Sequence, residues 1–333
     1  MAQVRRRSSE EPAAPPSEAA EGSDAPARPQ KKFFRTRAHS NVLNANDFWF
    51  PASPTAVPLH EYFPSLCPSP SPAAPHVEMV DVGCGYGSLL LELARLFPTQ
   101  LILGIEIRPK VVEYVQRKVL ALRHEAREPR AAAAAAAAAA AVAMANPETA
   151  GARHASRARD GSWLTYDNVW AVHNNAMRFL PNFFQRGQLT KLFFCFADPH
   201  FKRKNHRKRV ITPALLAEYA FVLKPAGLVY CITDVAELMT WMVGHLSSSP
   251  LFERLDNAAL QADPTVPILI QTDEGLKVMR NNGNMYIAVY RKRLDPLAPL
   301  VNVIPNDNAI AAQAAADAGY TPKPGGEKRG MTW

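Results

Sequence analysis

The sequence predicts an α/β protein: a mostly parallel sheet with helices on both faces. Three observations say so. Residues 77–87, VEMVDVGCGYG, run from an apolar stretch through Asp81 into glycines at 83, 85 and 87, and the helical SLLLELARLF follows. That is a strand, a tight turn and a helix start, with glycine letting the backbone take φ > 0 and come close to a ligand. A second apolar run, LILGIE, ends in an acid, Glu106. Beyond it, short apolar runs keep alternating with helical stretches, the pattern of a parallel sheet.

Taken in order, strand one is expected at 77–82 and a helix at 88–97, with strand two at 101–106. A helix from Pro109 to about Arg123 carries Val111, Val112, Val115, Val119 and Leu122 near the helical period, and proline suits its first turn. NVWAV (168–172) is strand three and KLFFCF (191–196) strand four. A helix at 213–223 leads to GLVYCIT (227–233), strand five, then a helix at 236–248 and a late strand, NMYIAVY (284–290). Asp81 to Gly87, Glu106, Asn174–Asn175 and Asp198 all fall at strand ends, and ligands of such sheets bind beyond those ends.

Around this core the composition changes. Residues 1–30 are rich in Ala, Pro, Ser and Glu and are expected to be disordered, as are 294–333. The folded domain is expected over 31–293, opening on a basic lead-in, KKFFRTRAHSN, that suits either a solvated tail or a grip on a phosphate backbone. The segment 51–75 is proline-rich, with LHEYFPSL as a short docking piece. Residues 124–160 hold an alanine tract, 131–141, between arginine-rich flanks; it has no amphipathic face and reads as an insertion looped out of the domain.

The 333 residues carry a net charge of +8, which points to a polyanionic partner once the charge is found in one place. Four cysteines, at 67, 84, 195 and 231, show no CxxC spacing, so neither a disulfide framework nor a metal site is expected, and an intracellular setting fits. No apolar run reaches membrane-spanning length, no membrane partner is expected, and the N-terminus has neither a signal nor a transit pattern.

The loop narrows the cofactor. A dinucleotide fingerprint is GxGxxG with the pyrophosphate on the helix N-terminus. Here the spacing is GxGxG with Asp81 two residues before the first glycine. An acid there would repel a pyrophosphate, but it suits the sulfonium and ammonium of S-adenosylmethionine (SAM). Glycines alone also make plain turns; Glu106, placed to accept from both hydroxyls of a ribose, favours the ligand.

Strand four runs into Ala197-Asp198-Pro199-His200-Phe201. An acid after an apolar run is either a turn former or a site residue, and its place at the end of a central strand favours the site. Lys202, Arg203, Lys204, Arg207, Lys208 and Arg209 follow. Such a run is ordinarily a solvated face, but here it would set phosphates beside the cofactor mouth. It also reads as a nuclear localisation signal, and the nucleus is the compartment expected. Thr272 stands before an apparent helix and could simply cap it; Asn175 could bond an adenine edge or serve as a turn residue.

Together, RAHSN (37–41), DVGCGYGSLL (81–90), LGIEIR (103–108), NNAM (174–177), LPNFF (180–184), GQLTKLFFCFADPHFKRKNH (187–206), LLAEYAFVLKPAGLVYCITD (215–234), SPLFERL (249–255) and TDEGLKV (272–278) resemble the tRNA (guanine-N7)-methyltransferase family, in its eukaryotic-type catalytic subunit that acts with a WD-repeat partner. The resemblance covers about 31–293 apart from the insertion. It implies a Rossmann-like class I SAM-dependent methyltransferase acting on N7 of a variable-loop guanine in tRNA. By motif position it makes Asp198 the catalytic aspartate and puts Gly83, Glu106, Arg108, Asn175, Ala176 and Cys195 on the cofactor, with Thr272 and Glu274 as a pair near cofactor and substrate. The chain departs from the pattern at Ala197, where proline is usual, at Leu276, where lysine is usual, and at Cys195, which replaces an aliphatic residue. The first would loosen the loop carrying Asp198. Two rival readings are an amino-group nucleic-acid methyltransferase and a non-catalytic RNA-binding protein on a degenerate methyltransferase fold.

Overall fold

The computed structural model describes residues 26–37, 41–43, 48–69, 75–127 and 165–294. The expected N-terminal tail up to residue 25, the alanine tract with 128–164, and the C-terminal 295–333 lie outside the described residues. The segment from Pro26 is already placed, earlier than the expected start at Lys31, because Arg28 pairs with Glu125.

Seven strands form one sheet: β1 (Val77–Val82), β2 (Leu101–Glu106), β3 (Val169–His173), β4 (Leu189–Cys195), β5 (Leu223–Thr233), β6 (Phe252–Arg254) and β7 (Tyr286–Lys292), in the order β3-β2-β1-β4-β5-β7-β6. β1 pairs in parallel with both β2 and β4; β7 alone runs antiparallel to its neighbours β5 and β6. The strands read as near-continuous apolar runs because both faces are covered. Every residue of β2 is buried, and so is all of β1 but Glu78.

The helices are α1 (Leu59–Tyr62), α2 (Ser88–Leu96), α3 (Pro109–Arg127), α4 (Ala176–Phe183), α5 (Pro213–Val222), α6 (Ala236–Ser248), α7 (Asn257–Ala262), α8 (Val266–Ile270) and α9 (Asp273–Arg280). The strand order reverses between β1 and β4, and right-handed crossovers then put the helices following β1 and β2 on one face and those following β4 and β5 on the other. No described helix is long and apolar enough to cross a membrane.

Two glycines hold this packing close. A Cβ on Gly104 in β2 would stand 2.6 Å from Leu90 Cδ1 and 2.7 Å from Cys84 Sγ. Gly87, at φ +74, is the N-cap of α2, and its missing Cβ leaves room for Val115 of α3. Buried polar side chains stitch the ends. Asn168 donates to Phe97 O (2.9 Å) and Gln100 O (3.1 Å) at the end of α2. Arg123, expected at a helix end, is instead buried and donates to Tyr62 O (2.8 Å), Tyr166 O (3.1 Å) and Val169 O (2.9 Å), joining α1, α3 and β3. α3 runs one turn past the expected Arg123, and Arg127 bonds Asp167 at 2.8 Å, just before β3.

Candidate active site

At the carboxyl ends of β1, β2, β3 and β4, astride the point where the strand order reverses, lies an open cleft. Each strand delivers its terminal residues to it for the same reason: the chain must leave the sheet there, and a turn residue, cap or acid takes the last position.

From β1 comes the glycine turn. Gly83 sits at φ +76 on the cleft wall, and a Cβ there would meet nothing within 4 Å, so the backbone is open to a ligand. Asp81 is buried just behind it, and its Oδ1 has no hydrogen-bond partner among the described residues. Burial, then the charges of Glu274 and Glu106, pushes its carboxyl from 3.8 up to about 8. The same surroundings, burial foremost, hold the Cys195 thiol at the end of β4 neutral.

From β2 comes Glu106, 3% exposed. Its Oε1 accepts from Arg108 N and Nε, both at 3.0 Å, and its Oε2 accepts from Gly85 N and Arg108 Nη2, both at 3.1 Å. A carboxylate offers about four acceptor sites, so Arg108 and Gly85 fill it. Burial works against the Arg108 charge, but the hydrogen bonds and charge of Glu106 outweigh it, with smaller help from Tyr86 and Asp198, and its pKa rises.

From β3 come Asn175 and Ala176. The Asn175 side chain caps α4 by accepting from Met177 N (3.1 Å) and donates to Val42 O (2.7 Å). It is therefore committed within the chain, and the segment's backbone is left to line the cleft. Val42 lines the cleft too, held there by that bond. Its residue type gives no warning of this; the motif RAHSN ending at Asn41 is the pointer.

From β4 comes the loop 196–201. Phe196 and His200 both take positive φ, 51° and 46°, so the chain doubles back and brings Ala197, Asp198 and His200 to the cleft. Its basic continuation divides. Arg203–Lys208 form a 3-10 helix; Lys202, Arg203, Lys204 and Arg207 are exposed, and Lys208 lines the cleft. Arg209 departs from the expected phosphate contact. It is 1% exposed, donates Nε to Pro199 O (2.8 Å) and Nη2 to Glu237 (2.6 Å), and its guanidinium lies 4.8 Å from the Trp241 ring. It ties the loop carrying Asp198 to α6, so the loop is held at this end.

Thr272 and Glu274 do not line the cleft. Thr272 is buried and caps α9, accepting from Gly275 N at 3.2 Å and donating to Leu269 O at 3.0 Å. Glu274 is exposed, and its charge reaches Asp81 and Cys195.

A family profile described as "Putative methyltransferase" matches residues 75–288. The "tRNA (guanine-N(7)-)-methyltransferase" of Brugia malayi is 45% identical over 270 residues, covering 81% of this chain and 89% of that one. Proteins of the same name from Arabidopsis thaliana (42% identity; 79% of this chain, 92% of that one) and Bos taurus (42%; 86% and 95%) match as broadly. The chain belongs to the tRNA (guanine-N7-)-methyltransferase family. Among solved structures it is similar to the 16S rRNA methyltransferase KamB (13% identity, 66% of this chain and 89% of that one, TM-score 0.38) and to an antibiotic-related methyltransferase (13%, 70% and 90%, 0.36).

As a methyltransferase of this family the chain takes its methyl group from SAM, and the residues present fit that donor. The open backbone at Gly83 admits close approach, and the unpartnered Asp81 Oδ1 with Glu106 and Glu274 makes an acidic pole suited to a cation.

Proposed function

We propose that the protein methylates N7 of a variable-loop guanine in tRNA, with a WD-repeat protein as its non-catalytic partner and the nucleus as its place of work. The observation that carries this reading is Asp198 at the end of β4, in one cleft with Gly83 and Glu106, with Lys208 on the wall and exposed Lys202, Arg203, Lys204 and Arg207 next to it. The curated names of the relatives support the substrate and the atom.

Bound SAM supplies an electrophilic methyl group on a sulfonium. Gly83 would leave room for it, and Asp81 behind that turn, with the charge of Glu274 nearby, would favour its positive charges. Glu106 would hold the ribose hydroxyls in place of some of the Arg108 hydrogen bonds that fill its carboxylate. Asn175 and Thr272 act as caps: Asn175 fixes the backbone of 175–176 and the Val42 wall, and Thr272 fixes the start of α9 beside Glu274. Cys195, neutral, fills the floor.

Guanine N7 carries an in-plane lone pair and no proton, so no base is needed to make the nucleophile. What the protein adds is position and electrostatics. Asp198 accepts from guanine N1–H and the N2 amine, which orients N7 and offsets the positive charge left on the ring. The target base must leave its stack to reach the cleft, and the exposed cations beside it hold the backbone on either side.

The test is transfer of labelled methyl from SAM to unmodified tRNA, with and without the WD-repeat protein, followed by N7-specific chain cleavage. Label with cleavage at a variable-loop guanosine is expected; SAM binding without any label would refute the reading. Asp198→Ala should lower turnover about 10²–10³-fold, the range for loss of one preorganised electrostatic group, while SAM affinity holds. Equal loss of SAM binding would remove Asp198 from the substrate side.

A further inference from the structure

Phe201 is 65% exposed, among the most exposed large apolar side chains described. A single exposed apolar residue is ordinary; the surroundings of this one are not. It comes one residue after His200, which lines the cleft, and three after Asp198, and exposed Lys202, Arg203 and Lys204 follow. The backbone leading to it is fixed, since Pro199 O is held at 2.8 Å by the buried Arg209 and His200 is turned at φ +46. An aromatic ring is thus presented from a held loop at the mouth of the cleft, among cations, and outside the cleft lining itself.

We propose that Phe201 is a stacking platform for the nucleobase next to the target. The inference rests on the nucleic-acid substrate proposed above. When the target base enters the cleft, its neighbour loses a stacking partner. Phe201 does not line the cleft that takes the target, so it covers the neighbour's exposed face, while the adjacent lysines and Arg203 take the phosphates on either side. Aromatic stacking serves every base, so the platform adds affinity and a fixed entry angle without reading sequence.

Three variants of the full chain, assayed with the WD-repeat protein present, test this. Phe201→Ala should lower kcat/KM for tRNA about 5- to 150-fold, the range that one stacked base supplies. SAM affinity and the thermal midpoint should stay unchanged, because the ring has little packing to lose. Phe201→Leu keeps an apolar group without a π-face and should be as poor as alanine; Phe201→Trp should stay near the native value. The indole of Phe201→Trp should also be quenched by a single-stranded oligonucleotide whether or not methyl is transferred. Quenching with no methylation of tRNA by the native chain would sustain the platform and sink the proposed reaction. No quenching, an unchanged kcat/KM for Phe201→Ala, or full recovery in Phe201→Leu would each overturn the platform.

Discussion

Arg209→Met keeps the buried stem and removes the donors. Three interactions go. Pro199 O, part-buried, loses its charged Nε–H donor at 2.8 Å, a hydrogen bond worth about 1.5–3 kcal/mol. The guanidinium leaves the Trp241 face, worth about 0.5–2 kcal/mol, part of which the thioether recovers. The pair with Glu237 contributes little, since that carboxylate is 55% exposed and water replaces the arginine. The net loss is about 2–4 kcal/mol, or roughly 4–16 °C in the melting midpoint at about 2–4 °C per kcal/mol. The effect on catalysis should exceed the effect on stability. A displacement of about 1 Å in a positioning group costs about 10²-fold in rate, and Asp198 adjoins the released carbonyl. Turnover should fall by about that factor well below the new midpoint, with SAM affinity held because Gly83 and Glu106 sit on other strands. Methyl transfer, SAM calorimetry and thermal unfolding measure the three quantities. Unchanged turnover with a lowered midpoint would make Arg209 a fold residue only. A drop of roughly 0.7–0.9 in the slope of log affinity for RNA against log salt would make it the phosphate contact that its sequence context suggests.

Other outcomes are expected together. Asp81 in the folded chain keeps its proton up to about pH 8, while the unfolded chain releases it near 3.8. Stability should therefore fall as pH rises through that window and level off above it, and Asp81→Asn should flatten the slope in pH-resolved unfolding. A cation bound at this pole favours the carboxylate, so SAM binding near neutral pH should release a proton, seen as a buffer-dependent heat that Asp81→Asn abolishes. Gly104→Ala should destabilise by about 1–3 kcal/mol in denaturant, because its Cβ has 2.6 Å to Leu90 and 2.7 Å to Cys84. The double variant Lys202→Gln with Lys204→Gln should weaken RNA binding and shallow its salt dependence without changing SAM affinity; an unchanged slope would move the RNA path elsewhere.

The sheet was legible because its strands are buried on both faces and so announce themselves as apolar runs, with Asp81, Glu106 and Asp198 marking their ends. β1, β2 and α6 fall within the expected bounds to the residue. Elements without such a run were hidden. α4 carries Pro181 inside it, β6 is three residues long, and β5 begins four residues early at Leu223, where it pairs with Leu189 across a register shift. At the site, strand-end residues could be placed on one edge, but side-chain allegiance could not. Arg209 stands in a run of cations and looks like the rest; only the chain's return against Trp241 and Glu237 makes it different. Thr272 and Asn175 satisfied both the cap and the ligand descriptions, and the hydrogen bonds place the side chains in the caps.

The junction of Arg127 with Asp167 has a bearing on engineering and on divergence. Helix α3 ends, and the chain re-enters the sheet, where Arg127 meets Asp167 at 2.8 Å and Arg123 donates to Tyr166 O and Val169 O. The described chain on either side of 128–164 is thus held together at one gate. Closing a chain of greater length through such a gate raises the entropy cost only logarithmically, by about 0.6 kcal/mol for each doubling. Shortening the chain between these two points should therefore change the closure cost little, which thermal unfolding of a variant trimmed there would measure.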